Sequence, residues 1–429
     1  MTDWLSPKGK IVEPDFCRSF LAANPMRCIH DHFCTVYGIV SDENRIKRDI
    51  FEQISPYQEN NIASTVDHIF RALKMASFSD PIPLQTDRIH VANGTYFLDG
   101  SFSAEKEFCL NRLIVSYNAN APAPRRWLQF VEELLYPEDI PTLQEYLGYC
   151  LIPSTKGQKM LMIIGKGGEG KSRIGLVMNA VFGTNMNTTS IQKVESNEYA
   201  RADLEHKLLM VDDDMDMNAL KKTNYIKSIV TSECRMDLER KNVQSFQAQL
   251  YVRFLCFGNG ALTALHDRSD GFFRRQIVLQ TKDKPPTRID DPYLVEKMLR
   301  EKEGIFLWML EGLMRLIGNN YRFTISERAR ENIANVVRNA NNLVNFLSSE
   351  GYIRLKADCE ASSKALYAAY KLWCDDNAEH PLSLHSFTCF LAANAGTYHL
   401  ESSNNIYVPG HKRCRGYWGI EVLPNITAP

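Results

Sequence analysis

Apolar residues recur along this chain at two periods, and the change from one to the other marks out its organisation. In the first 120 residues the period is mostly helical. Ile46, Ile50 and Ile54 share one face and predict a helix over Asn44–Ile54, while Ile62, Val66, Ile69 and Leu73 predict another over Ile62–Met75. His90 to Gly100 reads as a hairpin with Asn93-Gly94 at its turn. Ala121-Pro122-Ala123-Pro124 then punctuates the chain. Two helices follow, one carrying Trp127, Val131, Leu134 and Leu135, the other Leu143, Tyr146, Leu147 and Cys150.

Beyond them the pattern turns to apolar runs: Met160–Ile164, which is uninterrupted, then Lys207–Val211 and Leu250–Phe257. Such runs are the mark of strands buried on both faces of a sheet. A helix with Ile174, Leu176, Val177 and Val181 follows the first run and stops at Gly183. A further strand is expected over Gln276–Leu279, a helix opening at Asp291-Pro292, and an apolar helix over Gly304–Ile317. The tail reads as helices and then strands. Ser363–Cys374 is one helix, Ser383 caps the next, and two strands flank the basic loop Gly410–Gly416. The expected fold class is thus α/β, in three parts: a mixed, mainly helical region (1–120), an α/β domain (121–320) and a C-terminal domain (326–429).

Composition narrows the class without naming it. The 429 residues are 44% hydrophobic and 24% charged with a net charge of -1, so any nucleic-acid contact must come from local cations. No signal peptide is read at Met1-Thr2-Asp3-Trp4 and no apolar run reaches membrane-spanning length, so a cytoplasmic protein with no membrane partner is expected. The eleven cysteines include no C-x-x-C pair, which suits reduced thiols. Cys28, His30, His32 and Cys34 are all ligand types, but alternate positions of one strand cannot wrap a tetrahedral ion. A plain strand running on to Tyr37 is the favoured reading.

The candidate chemistry sits at the ends of the apolar runs. Gly165-Lys166-Gly167-Gly168-Glu169-Gly170-Lys171-Ser172 fits G-x-x-x-x-G-K-[ST] between a strand and a helix. Glycines there let backbone N–H groups converge on phosphate, Lys171 supplies a cation for the β- and γ-phosphates, and the Ser172 hydroxyl suits Mg²⁺. Arg173 completes the expected nucleotide-contacting stretch, and the loop backbone is expected to hold its shape without the Lys171 side chain. The second run ends in Asp212-Asp213-Asp214, which fits Mg²⁺ ligation and water activation or, alternatively, a solvated turn. The third ends in Gly258-Asn259-Gly260, where Asn259 is placed to orient a water unless the segment is only a turn. Arg235–Ala248 reads as a hairpin with Arg240 and Lys241 at its tip, a solvated tip or a nucleic-acid contact. Arg274 and Arg275 fit either a surface face or an arginine finger reaching a neighbouring subunit. Two helices and a hairpin bearing Lys412, Arg413 and Arg415 have the layout of a winged helix-turn-helix, with protein docking as the other reading.

The order of phosphate loop, acidic strand end, charged hairpin, strand-end Asn and Gly271-Phe272-Phe273-Arg274-Arg275 resembles the superfamily 3 helicases, above all the C-terminal half of phage, plasmid and poxviral primase-helicases. Val91–Gly94, Gln144–Tyr149 and Ala365–Cys374 are similar to segments flanking that family's motor. The resemblance implies an AAA+-like P-loop ATPase core with a winged-helix tail. It also implies a homo-hexameric ring that spends ATP with Mg²⁺ to move on single-stranded and forked DNA in a bacterial host, beside a separate primase or polymerase. Carried over, Lys171 and Ser172 hold nucleotide and Mg²⁺, Asp212 and Asp213 fill the metal and water-activating positions, and Asn259 is the sensor. Arg274 or Arg275 is the finger and Lys241 lines the channel. Glu169 and Arg173 depart from the family's usual Asn and Thr, and no priming module is expected. An origin-binding initiator without processive unwinding is the alternative function.

Overall fold

The computed structural model describes residues 3–215, 220, 222–232, 234–241, 243–259, 270–340, 342–377, 379–407 and 413–423. The chain divides into two compact units, Met1–Ile333 and Ala334–Pro429.

The first unit opens with α1 (Glu13–Ala23), the small strands β1 (Arg27–Ile29), β2 (His32–Thr35) and β3 (Gly38–Ile39), then α2 (Asn44–Ile54) and α3 (Ile62–Ala76). The two predicted helical stripes face a common core, with Ile46, Ile50, Ile54, Val66, Ile69 and Leu73 all buried beside Trp4, Phe16 and Phe33. The single strand expected from Arg27 to Tyr37 is corrected to a hairpin. His30 and Asp31 adopt left-handed backbone at φ 46° and 67°, and Cys28 pairs with Phe33 across the turn. Two apolar pairs, Cys28-Ile29 and Phe33-Cys34, are separated by polar residues, and folding back buries both pairs at once. Among the described residues no group of three or more His, Cys, Asp or Glu side chains is gathered as a metal site of such ligands requires.

A second hairpin, β4 (Arg88–Val91) with β5 (Gly94–Phe97) and β6 (Phe102–Ser103), turns at Ala92-Asn93, one residue ahead of the expected Asn93-Gly94, with Val91 paired to Gly94. The Asn93 amide also clasps Tyr117, accepting from its N–H at 2.9 Å and donating to its carbonyl at 2.8 Å. Ile89, Val91, Leu113 and Val115 join the same core as Trp127 and the strands beyond.

That core surrounds a five-stranded sheet in which β7 (Met160–Ile164), β8 (Met186–Thr188), β9 (Leu209–Asp212), β12 (Arg253–Gly258) and β13 (Gln276–Gln280) run parallel in the order β13-β7-β12-β9-β8. Helices α4 (Arg125–Leu134), α5 (Ile140–Tyr149), α6 (Ser172–Phe182), α7 (Ile191–Ser196), α8 (Glu198–Ala202), α9 (Asn224–Thr231), α10 (Asp270–Phe273), α11 (Leu294–Leu299) and α12 (Lys302–Gly318) complete the unit with the hairpin β10 (Met236–Arg240) and β11 (Val243–Ala248). Edge strand β8 escaped the sequence reading because three partly exposed residues carry no usable period.

Helices α5 and α12 cross at glycines. A Cβ on Gly148 would lie 2.2 Å from the Met309 carbonyl oxygen, and one on Gly312 would lie 2.3 Å from that of Gln144. Glu145, buried in the same crossing, accepts from Arg315 Nε, Thr324 N and Thr324 Oγ1, each at 2.7 Å. Gly148→Ala must push the helices apart, and a loss of about 1–3 kcal/mol is expected for such overpacking. A lowered urea midpoint relative to wild type checks it; an unchanged midpoint would mean that the crossing yields without cost.

The chain passes between the units within α13 (Glu327–Ala340). The second unit runs α14 (Asn342–Leu347), β14 (Ile353–Ser362), α15 (Ser363–Asp376), α16 (Leu384–Ala393), β15 (Glu401–Ile406) and β16 (Cys414–Val422), with antiparallel strand order β14-β16-β15. Its core holds Leu343, Phe346, Leu366, Tyr370, Trp373, Phe387, Tyr417 and Ile420. The sequence reading missed β14, whose middle positions are exposed and mix charged residues with Leu355 and Ala357, so that no alternation marks it.

Candidate functional site

Open α/β sheets gather ligands at the carboxyl ends of their strands, and three neighbouring strands bring candidate residues there. Gly165–Lys171 links β7 to α6. Its glycines take backbone that side chains rarely adopt, with φ of 107° at Gly167, 80° at Gly168 and 103° at Gly170. That backbone points two N–H groups inward, as an anion cradle requires. The anion they meet belongs to the loop itself. Glu169 Oε1 accepts from the N–H of Lys166 at 2.5 Å and of Gly167 at 2.8 Å, and Oε2 lies 2.8 Å from Lys171 Nζ. Both side chains are buried, Glu169 at 3% and Lys171 at 9% exposure. Burial pushes the Glu169 carboxyl up, but Lys171 and the loop N–H groups outweigh it and hold the group below the usual value. Gly165 has no room for a side chain, since its Cβ would sit 2.9 Å from the Glu169 carboxyl and 2.4 Å from Thr281 Oγ1.

Lys171 Nζ also donates to Asn259 Oδ1 at 3.4 Å, so the loop and the end of β12 meet at one cation. On the far side of β12, β9 delivers buried Asp212 and exposed Asp213. Asp212 Oδ2 accepts from Ile191 N at 2.8 Å. Burial pushes the Asp212 carboxyl above its ordinary value, and the charges of Asp214 and Asp213 raise it further. The hydroxyl of Ser172 and the Asp212 and Asp213 carboxylates are hard oxygen donors of the type that would suit a divalent cation such as Mg²⁺.

Beside the loop lies a cavity of about 500 Å³ lined by Phe130, Leu134, Arg173, Ile289, Leu294 and Arg288, among others. Arg288 Nη1 donates to the Glu169 carbonyl at 3.0 Å, and Lys166 Nζ pairs with Asp283 at 2.9 Å. Sequence reasoning missed Arg288, Phe130 and Thr281. They sit far from the motif in the chain; Phe130 reads only as one more apolar position of α4, and no local period marks Arg288 or Thr281.

The remaining candidates lie elsewhere. Arg274 and Arg275 precede β13, at the amino ends of the strands. Gln276 pairs with Met160 and Gln280 with Ile164, which puts the arginines a strand length from the loop. Arg274 is exposed, and the Arg275 guanidinium donates to the Gly271 carbonyl. In the β10–β11 hairpin, Lys241 is exposed at the turn, whereas Arg240 is engaged. Its Nη2 lies 2.6 Å from Glu205 Oε2 and its Nη1 meets His32 Nε2. In the second unit Arg413 and Arg415 are exposed, while Lys412 lies outside the described residues. No described helix is long and apolar enough to cross a membrane.

A family of unknown function, DUF5906, matches residues 163–275, a span that runs from the end of β7 through Arg275. No curated protein matches the chain. Among solved structures, the A form apo structure of the NrS-1 C-terminal region has a similar fold. It is 11% identical with a TM-score of 0.51, over 94% of this chain and 98% of that one. A second apo structure of that region is 10% identical with a TM-score of 0.50, over 96% and 100%. The chain is therefore an α/β protein similar in fold, along nearly its whole length, to the NrS-1 C-terminal region.

Proposed function

We propose that this chain is an ATP-driven DNA motor, the replicative helicase of a phage, plasmid or integrated element, working as a homo-hexameric ring on single-stranded and forked DNA. One observation carries the reading: a glycine loop between β7 and α6 closes around an anion, with Lys171 joined to Asn259 at the end of the adjacent strand. On this reading Gly165–Arg173 holds the triphosphate of ATP, the cavity beside Phe130 takes the nucleoside, and Ser172, Asp212 and Asp213 hold Mg²⁺. Asp213, exposed beside Asp212, is the group that receives the proton of the attacking water, and Asn259 orients that water. Water is kept from Lys171 by its burial, which strengthens its pull on phosphate.

The P-loop ATPase core and the winged helix are part of the proposal. Helix, strand, two helices and two strands in the second unit support the latter. Helix α16 carries no Lys or Arg, so contacts to a duplex backbone would fall to Arg413 and Arg415. In the first unit Lys241 is an exposed cation at the hairpin's turn and Arg240 its anchor.

ATP hydrolysis measured with and without single-stranded DNA tests the reading. Stimulation by DNA and strand displacement on a fork are expected. Lys241→Ala should keep the DNA-free rate and lose the stimulation, because the catalytic groups lie on other segments. Wild-type unwinding by this variant would remove Lys241 from the channel. Stimulated hydrolysis without strand displacement by the wild-type protein would favour an origin-binding initiator.

A further inference from the structure

Glu169 does more than depart from a family pattern. Its carboxylate accepts from both inward N–H groups and neutralises the loop's own cation, three contacts of the kind a phosphate makes in such a loop. A nucleotide phosphate cannot enter while the carboxylate stays, because two anions would then share Lys171 in a buried setting.

The displaced side chain has somewhere to go. Arg173, four residues on in the chain, and Arg288 both line the adjoining cavity along with Glu169. A Cβ on Gly170 would find Arg173 Cδ at 3.6 Å and an Arg288 Nη at 3.7 Å, so both cations border the short hinge that carries Glu169. Arg288 already holds the Glu169 carbonyl at 3.0 Å. Glu169 and Arg173 thus stand four residues apart, with Gly170 next to the first and within van der Waals reach of the second. An anion that must leave a cradle and a cation beside its exit belong together.

We propose that Glu169 is an internal anion that occupies the phosphate cradle until nucleotide displaces it, and that Arg173 receives the carboxylate in the nucleotide-bound state. This rests on the nucleotide reading of the loop and adds a gate to it. The ligand-free loop carries no net charge at Lys171, so a phosphate ligand gains affinity only by replacing contacts already made. A nucleotide must therefore bind more weakly here than in a loop with a neutral side chain at this position.

Calorimetric titration of the full chain with ATP and with tripolyphosphate tests the gate in wild type, Glu169→Asn, Glu169→Gln, Arg173→Thr and the double variant Glu169→Asn/Arg173→Thr. The glutamine variant keeps the side-chain length and an acceptor for the loop N–H groups, which guards against collapse of the loop. Both single Glu169 variants should bind about tenfold more tightly, the order set by one charge-assisted contact that no longer has to be broken. Arg173→Thr should weaken binding more in the wild-type background than beside Glu169→Asn, since its share in holding the triphosphate is common to both and the acceptor matters only when there is a carboxylate to accept. Equal dissociation constants for wild type and both Glu169 variants would overturn the gate and leave the nucleotide site standing. An Arg173→Thr effect of the same size in both backgrounds would overturn Arg173 as the acceptor. Failure of every protein to bind either ligand would remove the nucleotide reading, and the gate with it.

Discussion

Lys171→Ala is expected to abolish ATP hydrolysis and also to destabilise the ligand-free protein by about 3 kcal/mol, the order seen when one partner of a buried ion pair is removed. The first effect follows from the loop, whose inward cation Lys171 lies 2.8 Å from the Glu169 carboxylate in the place a phosphate would take. The second follows from burial. With Lys171 gone, Glu169 keeps its two N–H donors but remains a buried charge at 3% exposure without a countercharge. The expectation from sequence, that the loop holds its shape without this side chain, is revised for that reason. The double variant Glu169→Ala/Lys171→Ala separates the two roles. It should regain most of the lost stability, since no orphan charge remains, and should still fail to hydrolyse ATP. Thermal unfolding and a steady-state ATPase assay read the pair. Near-wild-type turnover by Lys171→Ala would end the motor proposal, and unchanged stability would show that the pair is not the anchor its geometry describes.

The second large effect belongs to Arg274 and Arg275. These residues precede β13, which runs parallel to β7 with Gln276 beside Met160 and Gln280 beside Ile164. At about 3.3 Å per residue, the strand sets them roughly 16 Å from the loop that follows Ile164, beyond the reach of an arginine side chain. They cannot act on a phosphate held by their own loop. In the proposed ring they act on a neighbour's, and the double variant Arg274→Ala/Arg275→Ala should then lose hydrolysis by about 10³-fold, the lower range for an arginine finger. Doping wild-type protein with the variant should depress activity faster than dilution does, because each variant subunit disables a wild-type neighbour's site. A strictly proportional decline would take both arginines out of the catalytic site.

Some of this was legible without the fold because its causes are local. The stripes of Ile46, Ile50 and Ile54 and of Ile62, Val66, Ile69 and Leu73 became helices because 3.6-residue periodicity and burial of one face are the same statement. The runs ending at Ile164 and Asp212 became parallel strands because an unbroken apolar run has no face to give to water. Where a turn's conformation competed with the period, the reading failed. His30-Asp31 reversed the chain inside what alternation read as one strand.

The candidate site divides along the same line. The sequence by itself determined the glycine loop, its Lys171 and the acids at the next strand's end, since each is a short segment whose chemistry travels with it. Only the tertiary structure decided what those groups touch. Parallel pairing brought Asn259 to Lys171 and set Arg274 at the opposite end of the sheet. The hairpin's landing on Glu205 and His32 turned Arg240 from a free cation into an anchor and left Lys241 exposed. The loop's own closure placed Glu169 in the cradle, beside an Arg288 that no motif marks. A motif fixes which donors and charges a loop carries. Which anion those donors hold depends on strand register and on burial, and neither is a property of eight consecutive residues.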